Sequence, residues 1–310
     1  MFFNCKVTRP LDFSAKISIY LYMLLKDIAQ QKQLQKKGYV VIPFLTDSEV
    51  IELNNFFQEV HNSDTPPEFI DGIHMTTWCK DAAYKQRVSE YLTQIFESAT
   101  NHYFDNCRRL NHVFIVKNNG KHTTFKVHQD WNVVDENKFE SVNVWVPLHD
   151  VDEKSGALWV LPGSHKIKRR IRGAGYLFPD YSAYFDELEK ESISVKLKAG
   201  EAIVFYHSLI HGSPPNQAIQ DRRAACFSVI PKEAPLCIYF QPTEKAVLEQ
   251  YEPDDNFIYQ YDYLRTESVQ RPPGKTPVKT FDSFVNKKVE MKEINPFLKT
   301  GKSWLSFLKP

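Results

Sequence analysis

The chain has no CxxC pair, no long apolar run, no excess of either charge and no internal repeat, and each absence removes a class of function. Its five cysteines, Cys5, Cys79, Cys107, Cys226 and Cys237, are odd in number and scattered over 310 residues. That spacing suggests neither a zinc knuckle nor a disulfide framework and fits reduced thiols. Lys and Arg total 39 against 38 Asp and Glu, so no bulk field draws the protein to nucleic acid or to an anionic membrane. Recognition of an anion must then come from a local cluster. The apolar run Ile17 to Leu25 is about half the length of a bilayer span. Asp12 and Lys16 precede it, and no small-residue cleavage site follows. Ile17, Tyr20, Leu21, Leu24, Leu25 and Ile28 fall at i, i+3, i+4 spacing, which predicts an amphipathic helix. The expectation is a soluble cytoplasmic protein with no membrane span, its oligomeric state open.

What is present is globular composition with many rings: 22 Phe, 15 Tyr and 5 Trp suit a β-rich core or an apolar pocket. From Phe13 to about His102 the pattern is mainly helical. Gly38 to Pro43 reads as a short strand, and Thr46 with Glu49 forms a capping box ahead of a stripe of Val50, Leu53, Phe57 and Val60. Tyr84, Val88, Tyr91, Leu92 and Ile95 make another helical stripe. At His112 the period changes. The runs 113–116, 142–146, 157–160, 202–205 and 223–230 are short, β-branched and aromatic, with glycines and other turn residues between them. They predict a sandwich, jelly roll or barrel. The economical reading is one domain over 1–310, with a mainly helical part (1–111), a β-core (112–235) and a C-terminal extension (236–310).

His128-Gln129-Asp130 is the first chemically informative stretch. On a strand, residues i and i+2 share a face, so His128 and Asp130 offer one nitrogen and one carboxylate oxygen to a common point. A histidine from a neighbouring strand completes a facial triad with three open positions, an arrangement that suits iron(II). His211 follows the turn-and-strand run Ala199 to Phe205. Arg222, eleven residues beyond His211, carries a fork of donors that can hold a carboxylate bidentately, with Ser213 as a second donor. Arg223 is its rival. Alternation groups Arg222 with Ala224, Cys226 and Ser228, which suit a narrow interior, and Arg223 with Ala225, Phe227 and Val229, which suit packing on helices. Asn143 and Trp145 share a strand face, making Asn143 a pocket candidate. His165 is assigned to a structural turn.

These runs together resemble the phytanoyl-CoA dioxygenase family of iron(II)/2-oxoglutarate oxygenases. The matching residues are His128-Gln129-Asp130-Trp131, Trp145-Val146-Pro147-Leu148, Ser155-Gly156-Ala157-Leu158, Leu161 to Lys166 and His211-Gly212-Ser213. Gly38 to Pro43 resembles the family's opening strand, and the likeness runs from about Leu34 to Pro231. The resemblance implies a mainly β protein with flanking helices (α+β) around a double-stranded β-helix, a cupin-like jelly roll. It implies iron(II) on His128, Asp130 and His211, with the distal carboxylate of 2-oxoglutarate on Arg222 and Ser213. Trp145 and Val113 match positions lining that co-substrate, and O2 is the oxidant. Halogenating relatives replace the carboxylate by a small residue; Asp130 is present here, so oxygen insertion is expected, with desaturation or epoxidation left open.

The segment after His165 opens with Lys166, Lys168, Arg169, Arg170 and Arg172 and continues with Tyr176, Phe178, Tyr181, Tyr184 and Phe185. Basic residues beside aromatics suit a small-molecule or acyl-thioester substrate with an anionic handle; a solvated face and a packed lid is the plainer reading. Nucleic acid is not expected. Two other functions fit the same residues: a non-catalytic jelly-roll metal or sensing protein, and a cupin-like iron dioxygenase that uses no oxo acid.

Overall fold

Gly38 sets the entry into the first sheet. The computed structural model describes residues 24–298 apart from 62–65, 67–68, 168, 176, 178, 244–246, 261–270, 273, 283 and 286–287. Helix α1 (Ile28–Lys37) is capped by Asp27, whose side chain accepts from the Gln30 N–H at 2.7 Å. It ends at Gly38, which takes φ 87° and whose amide bonds the Leu34 carbonyl. A Cβ at that position would meet Nδ1 of His165 at 2.5 Å, so only glycine allows the chain to turn there into β1 (Tyr39–Pro43). Thr46 and Glu49 then cap α2 (Asp47–His61) reciprocally, Thr46 N–H to Glu49 Oε2 at 2.7 Å and Glu49 N–H to Thr46 Oγ1 at 3.3 Å.

Leaving aside 3-10 turns and two one-turn helices near the C-terminal end, the elements that follow are β2 (Ile73–Met75), α3 (Ala82–Ile95), α4 (Glu97–Tyr103), β3 (Cys107–Lys117), β4 (Phe125–His128), β5 (Val142–Pro147), β6 (Trp159–Val160) and β7 (Ala174–Gly175). After these come α5 (Phe185–Glu191), β8 (Ile193–Ser194), β9 (Glu201–Tyr206), β10 (His211–Ser213), β11 (Arg222–Pro231), β12 (Ile238–Gln241), β13 (Leu248–Tyr251) and β14 (Lys279–Phe281). A six-stranded antiparallel sheet has the order β1-β9-β5-β11-β3-β2, and a four-stranded one β4-β10-β6-β8. Their side chains meet in a shared interior, giving the jelly roll. A third sheet, β14-β13-β12-β7, is built largely from the C-terminal part.

Strand alternation assigns the two faces of the large sheet. Val142, Val144, Val146, Ala225, Phe227 and Val229 pack outward against helical Leu53, Phe57, Val88, Leu92 and Phe96. Val113, Trp145, Ala224 and Cys226 turn inward to meet Leu158, Val160 and Leu197. The first set is dry core; the second leaves room for a ligand.

Three expectations change. The helix over Ile17–Ile28 lies outside the described residues from 17 to 23, and beyond them Leu24 and Leu25 are buried but not helical. Leu25 bridges Phe104 because the Asp27 cap starts the helix later and the two leucines fill core instead. The mainly helical N-terminal part supplies not only the expected strand β1 but also the unexpected β2 to the large sheet. Finally, the basic run after His165 divides: Lys166 and Arg169 are exposed, whereas Arg170 and Arg172 are committed to partners within the fold. Arg172 has no exposure: its Nε donates to the Asp130 carbonyl at 2.6 Å and its Nη2 to Glu136 at 2.5 Å. Arg170 pairs with Glu293 at 2.6 Å. Lys168, Tyr176 and Phe178 lie outside the described residues, and Tyr181 is buried, donating to Gln129 Oε1 at 2.7 Å. Among the described residues no helix is long and apolar enough to cross a membrane.

Arg172 therefore ties the loop after β4 to the third sheet. Replacing it with Met leaves Glu136, whose side chain is 10% exposed, without its cation. The expected loss is roughly 3–5 kcal/mol of unfolding free energy, read from the urea midpoint; a change below about 1 kcal/mol shows the pair to be dispensable.

Candidate metal centre

His128 ends β4, His211 opens β10, and the two are direct partners in the antiparallel ladder. Their rings therefore sit on one face, centroids 4.3 Å apart. Each Nδ1 donates to the carbonyl two residues earlier, His128 to Lys126 at 2.8 Å and His211 to Leu209 at 2.9 Å. A carbonyl only accepts, so the protons are on Nδ1 and both Nε2 lone pairs are left for a ligand sphere.

Asp130 reaches the same point differently from the sequence expectation. The strand stops at His128, so i, i+2 alternation does not place the carboxylate. The Asp130 N–H bonds the His207 carbonyl at 2.9 Å, and the irregular segment so anchored brings Oδ1 to 3.5 Å from His128 Nε2 and Oδ2 to 3.5 Å from His211 Nε2. One ligand atom from each residue lies within 4.8 Å of the others. Burial disfavours the Asp130 charge, but in acid, where the His211 ring carries a proton, His211 and then His128 overcome it and hold the carboxyl well below the usual range. Burial pushes His211 down to about 4, keeping its imidazole neutral and able to ligate. Two neutral nitrogens and one carboxylate with positions left over is the donor set of a non-haem ferrous centre.

A short polar chain orients the carboxylate. Asn143 Nδ2 donates to Asp130 Oδ2 at 2.8 Å, Ser228 Oγ donates to Asn143 Oδ1 at 2.7 Å, and His207 Nε2 lies 3.2 Å from Ser228 Oγ. Asn143 thus stands beside the metal ligands, behind Asp130.

The three ligands open onto a cavity of about 320 Å³, whose wall also includes Val113, Asn143, Trp145, Ser213 and Arg222. The structure brings all the residues singled out from the sequence into one space. A larger surface depression of about 720 Å³ around Asp150, Lys198 and Gln220 holds none of them. Arg222 is 2% exposed. Its Nη1 donates to the Gly156 carbonyl at 2.9 Å, its Cζ lies 5.1 Å over the Trp145 ring, and its Nε has no hydrogen-bond partner. Burial lowers it to about 10, which leaves it cationic at neutral pH. Arg223 points to the other face, over Phe57 at 4.6 Å. His165 bonds the Gln35 carbonyl at 3.0 Å and stacks on Tyr206, away from the ligands.

Four residues were not legible as site residues. Asn111 lines the cavity where the β3–β11 register shifts; it takes φ 58° and its Oδ1 is buried with no partner. An asparagine inside an apolar strand is the available signal for such a bulge. His207 gave no signal apart from its type. Gly212 lets β10 close on β4, since a Cβ there would meet the Phe125 carbonyl at 2.7 Å. Lys117 ends β3 behind Ser213, fully buried.

The family profile for phytanoyl-CoA dioxygenase (PhyH) matches residues 34–224. A phytanoyl-CoA dioxygenase of Arabidopsis thaliana is 32% identical over 122 residues, 38% of this chain and 42% of that protein. The peroxisomal phytanoyl-CoA dioxygenase of Homo sapiens is 23% identical over 225 residues, 64% and 66% of the two chains. The match spans less than half the length of the plant relatives. Among solved structures, the non-heme alpha ketoglutarate dependent carbocyclase SnoK from nogalamycin biosynthesis superposes with a TM-score of 0.51 at 17% identity, covering 68% of this chain and 86% of that one. The epimerase SnoN, in complex with Fe3+, alpha ketoglutarate and nogalamycin RO, gives 0.50 at 16% identity, covering 67% and 84%. At these identities the structural likeness is one of fold, and the fold is the jelly roll.

Asn143→Leu removes the donor to Asp130 Oδ2 while keeping bulk. Affinity for a divalent metal is expected to fall roughly 10- to 100-fold, measured by titrating the apoprotein with iron(II) under argon. Unchanged affinity would show that the carboxylate needs no such support.

Proposed function

The chain belongs to the phytanoyl-CoA dioxygenase family, and on that footing we propose that it is an iron(II)- and 2-oxoglutarate-dependent dioxygenase that hydroxylates a small apolar molecule or an acyl group. The observation that carries this reading is the pairing of two features in one cavity: a His128–Asp130–His211 cluster able to hold a ferrous ion, and a buried guanidinium, Arg222, on the same wall. When bound, iron supplies the redox chemistry that couples decarboxylation of 2-oxoglutarate to insertion of one oxygen atom of O2 into a substrate C–H bond, with succinate and CO2 as the other products.

The protein's own contribution is binding, orientation and exclusion of water. Arg222 would take the distal carboxylate with its unpaired Nε side, and the Ser213 hydroxyl would donate to the same group. Ser213 lies two residues from His211 on β10, about 7 Å along a strand, a separation suited to a short dicarboxylate that also reaches the metal. The Trp145 ring beneath the guanidinium and inward-facing Val113 fit the flat carbon chain between. Asn143 keeps the Asp130 carboxylate turned to the metal.

Much of the rest of the wall is apolar, Met75, Trp78, Trp131, Val133 and Ile238 among it, with Asn111, His207 and Ser228 as its polar members. Such a lining favours a substrate that presents hydrocarbon to the centre. Arg170 and Arg172 are committed to Glu293 and Glu136, so of the described residues of that basic run Lys166 and Arg169 are left for an anionic handle, and neither lines this cavity. A second reading, a metal centre without an oxo-acid co-substrate, leaves Arg222 with no ligand to meet, and the buried guanidinium therefore favours the first.

Anaerobic iron(II) plus 2-oxoglutarate is expected to give a weak visible charge-transfer band, and Arg222→Ala to need at least roughly 30-fold more 2-oxoglutarate to reach it. A wild-type protein that shows no band with both additions would falsify the assignment. Succinate release across a substrate panel, followed aerobically, then selects between small apolar molecules and acyl thioesters.

A further inference from the structure

Lys117 and Arg222 are directly opposed in the β3–β11 ladder, and both are buried, with 0% and 2% exposure. Like charges placed opposite one another across a sheet repel, and buried charges are ordinarily paired. Elsewhere this chain follows that rule: Arg172 meets Glu136 and Arg170 meets Glu293. Lys117 Nζ instead donates to three neutral acceptors, Ser213 Oγ at 2.5 Å, Pro214 O at 2.7 Å and Ser213 O at 3.4 Å. Arg222 donates to the Gly156 carbonyl. Among the described residues no carboxylate forms an ion pair with either cation.

The same contacts set the direction of the Ser213 hydroxyl. Its oxygen accepts from Lys117, so its own proton is available to the cavity that Ser213 lines. Gly156 makes room for the arrangement: it has φ 77°, and a Cβ there would meet the Pro214 carbonyl at 3.1 Å and Lys117 Cδ at 3.4 Å. Burial, then Arg222, push the Lys117 amine down to about 6, a pressure that an anion beside it would relieve.

We propose that Lys117 is a second cation of the dicarboxylate subsite, a positioning residue that holds the Ser213 hydroxyl toward the ligand's distal carboxylate and shares that charge with Arg222. This rests on the 2-oxoglutarate reading above. The class of ligand follows from the wall and what backs it: a carboxylate would meet Arg222 and the Ser213 hydroxyl on the wall, with the Lys117 amine directly behind that hydroxyl.

The test compares wild type with Lys117→Met, which keeps length and removes charge, in the iron(II)-loaded proteins under argon. Calorimetric titrations use 2-oxoglutarate and 2-oxobutanoate, which keeps the oxo-acid end and lacks the distal carboxylate. In the variant, 2-oxoglutarate affinity is expected to fall roughly 10- to 100-fold, while 2-oxobutanoate affinity stays within about 2-fold of wild type. Lys117→Gln, which can still donate to Ser213, is expected to fall between. The ligand-free Lys117→Met protein should melt at or above the wild-type temperature at neutral pH, because the wild type has to give up the lysine proton to bury that amine without a counter-charge. Equal 2-oxoglutarate affinities, an equal loss for both ligands, or a ligand-free variant that melts well below wild type each overturn the role of Lys117. Failure of the wild type to bind 2-oxoglutarate overturns the functional reading and this inference with it.

Discussion

Everything at the centre depends on one cross-strand pair. His128 and His211 face each other because β4 and β10 run antiparallel in a register that makes them partners. Antiparallel partners on one face have Cβ atoms only about 5 Å apart, which brings two imidazoles to a common point without any strain in the loops. The register in turn depends on Gly212, whose missing side chain lets the Phe125 carbonyl approach. Asp130 joins the pair after its own strand has ended, on an irregular segment held by the His207 carbonyl behind and Arg172 beside it.

Charge is handled by two different rules in this molecule. Around the loop after β4, each buried guanidinium has a carboxylate, and the pairs fasten the third sheet and the C-terminal segment to the jelly roll. At the far wall of the cavity, Arg222 and, behind it, Lys117 stand opposite each other with neutral acceptors only. The first pattern is structural and accounts for Arg170 and Arg172 within the basic run, while Lys166 and Arg169 stay exposed. The second is what a binding site for a dicarboxylate requires, since a site already holding an internal anion has no attraction left for an external one.

The β-strands and their facing were legible because period-2 patterning is local: Val142, Val144 and Val146 against Asn143 and Trp145, or Arg222 against Arg223, separate inward from outward without knowledge of the partner strand. Helix α2 was legible for the same reason, with its Thr46–Glu49 cap written within four residues. The start of α1 was not, because Leu24 and Leu25 have helical spacing but are claimed by the core beside Phe104, and tertiary burial overrides period. Arg172 and Glu136 were opaque as a pair, being 36 residues apart with no pattern linking them.

By itself the sequence determined the chemistry available: which side chains could ligate, which strand faces would turn inward, and which family motifs the chain carries. Only the tertiary structure decided which of those side chains share a cavity, that Asp130 arrives from an irregular segment rather than along a strand, that Arg172 is a strut, and that Lys117 stands opposite Arg222. The physical reason is range. Side-chain direction is set by dihedral angles over a few residues, whereas burial and the pairing of charge are set by whatever distant segment the fold brings alongside.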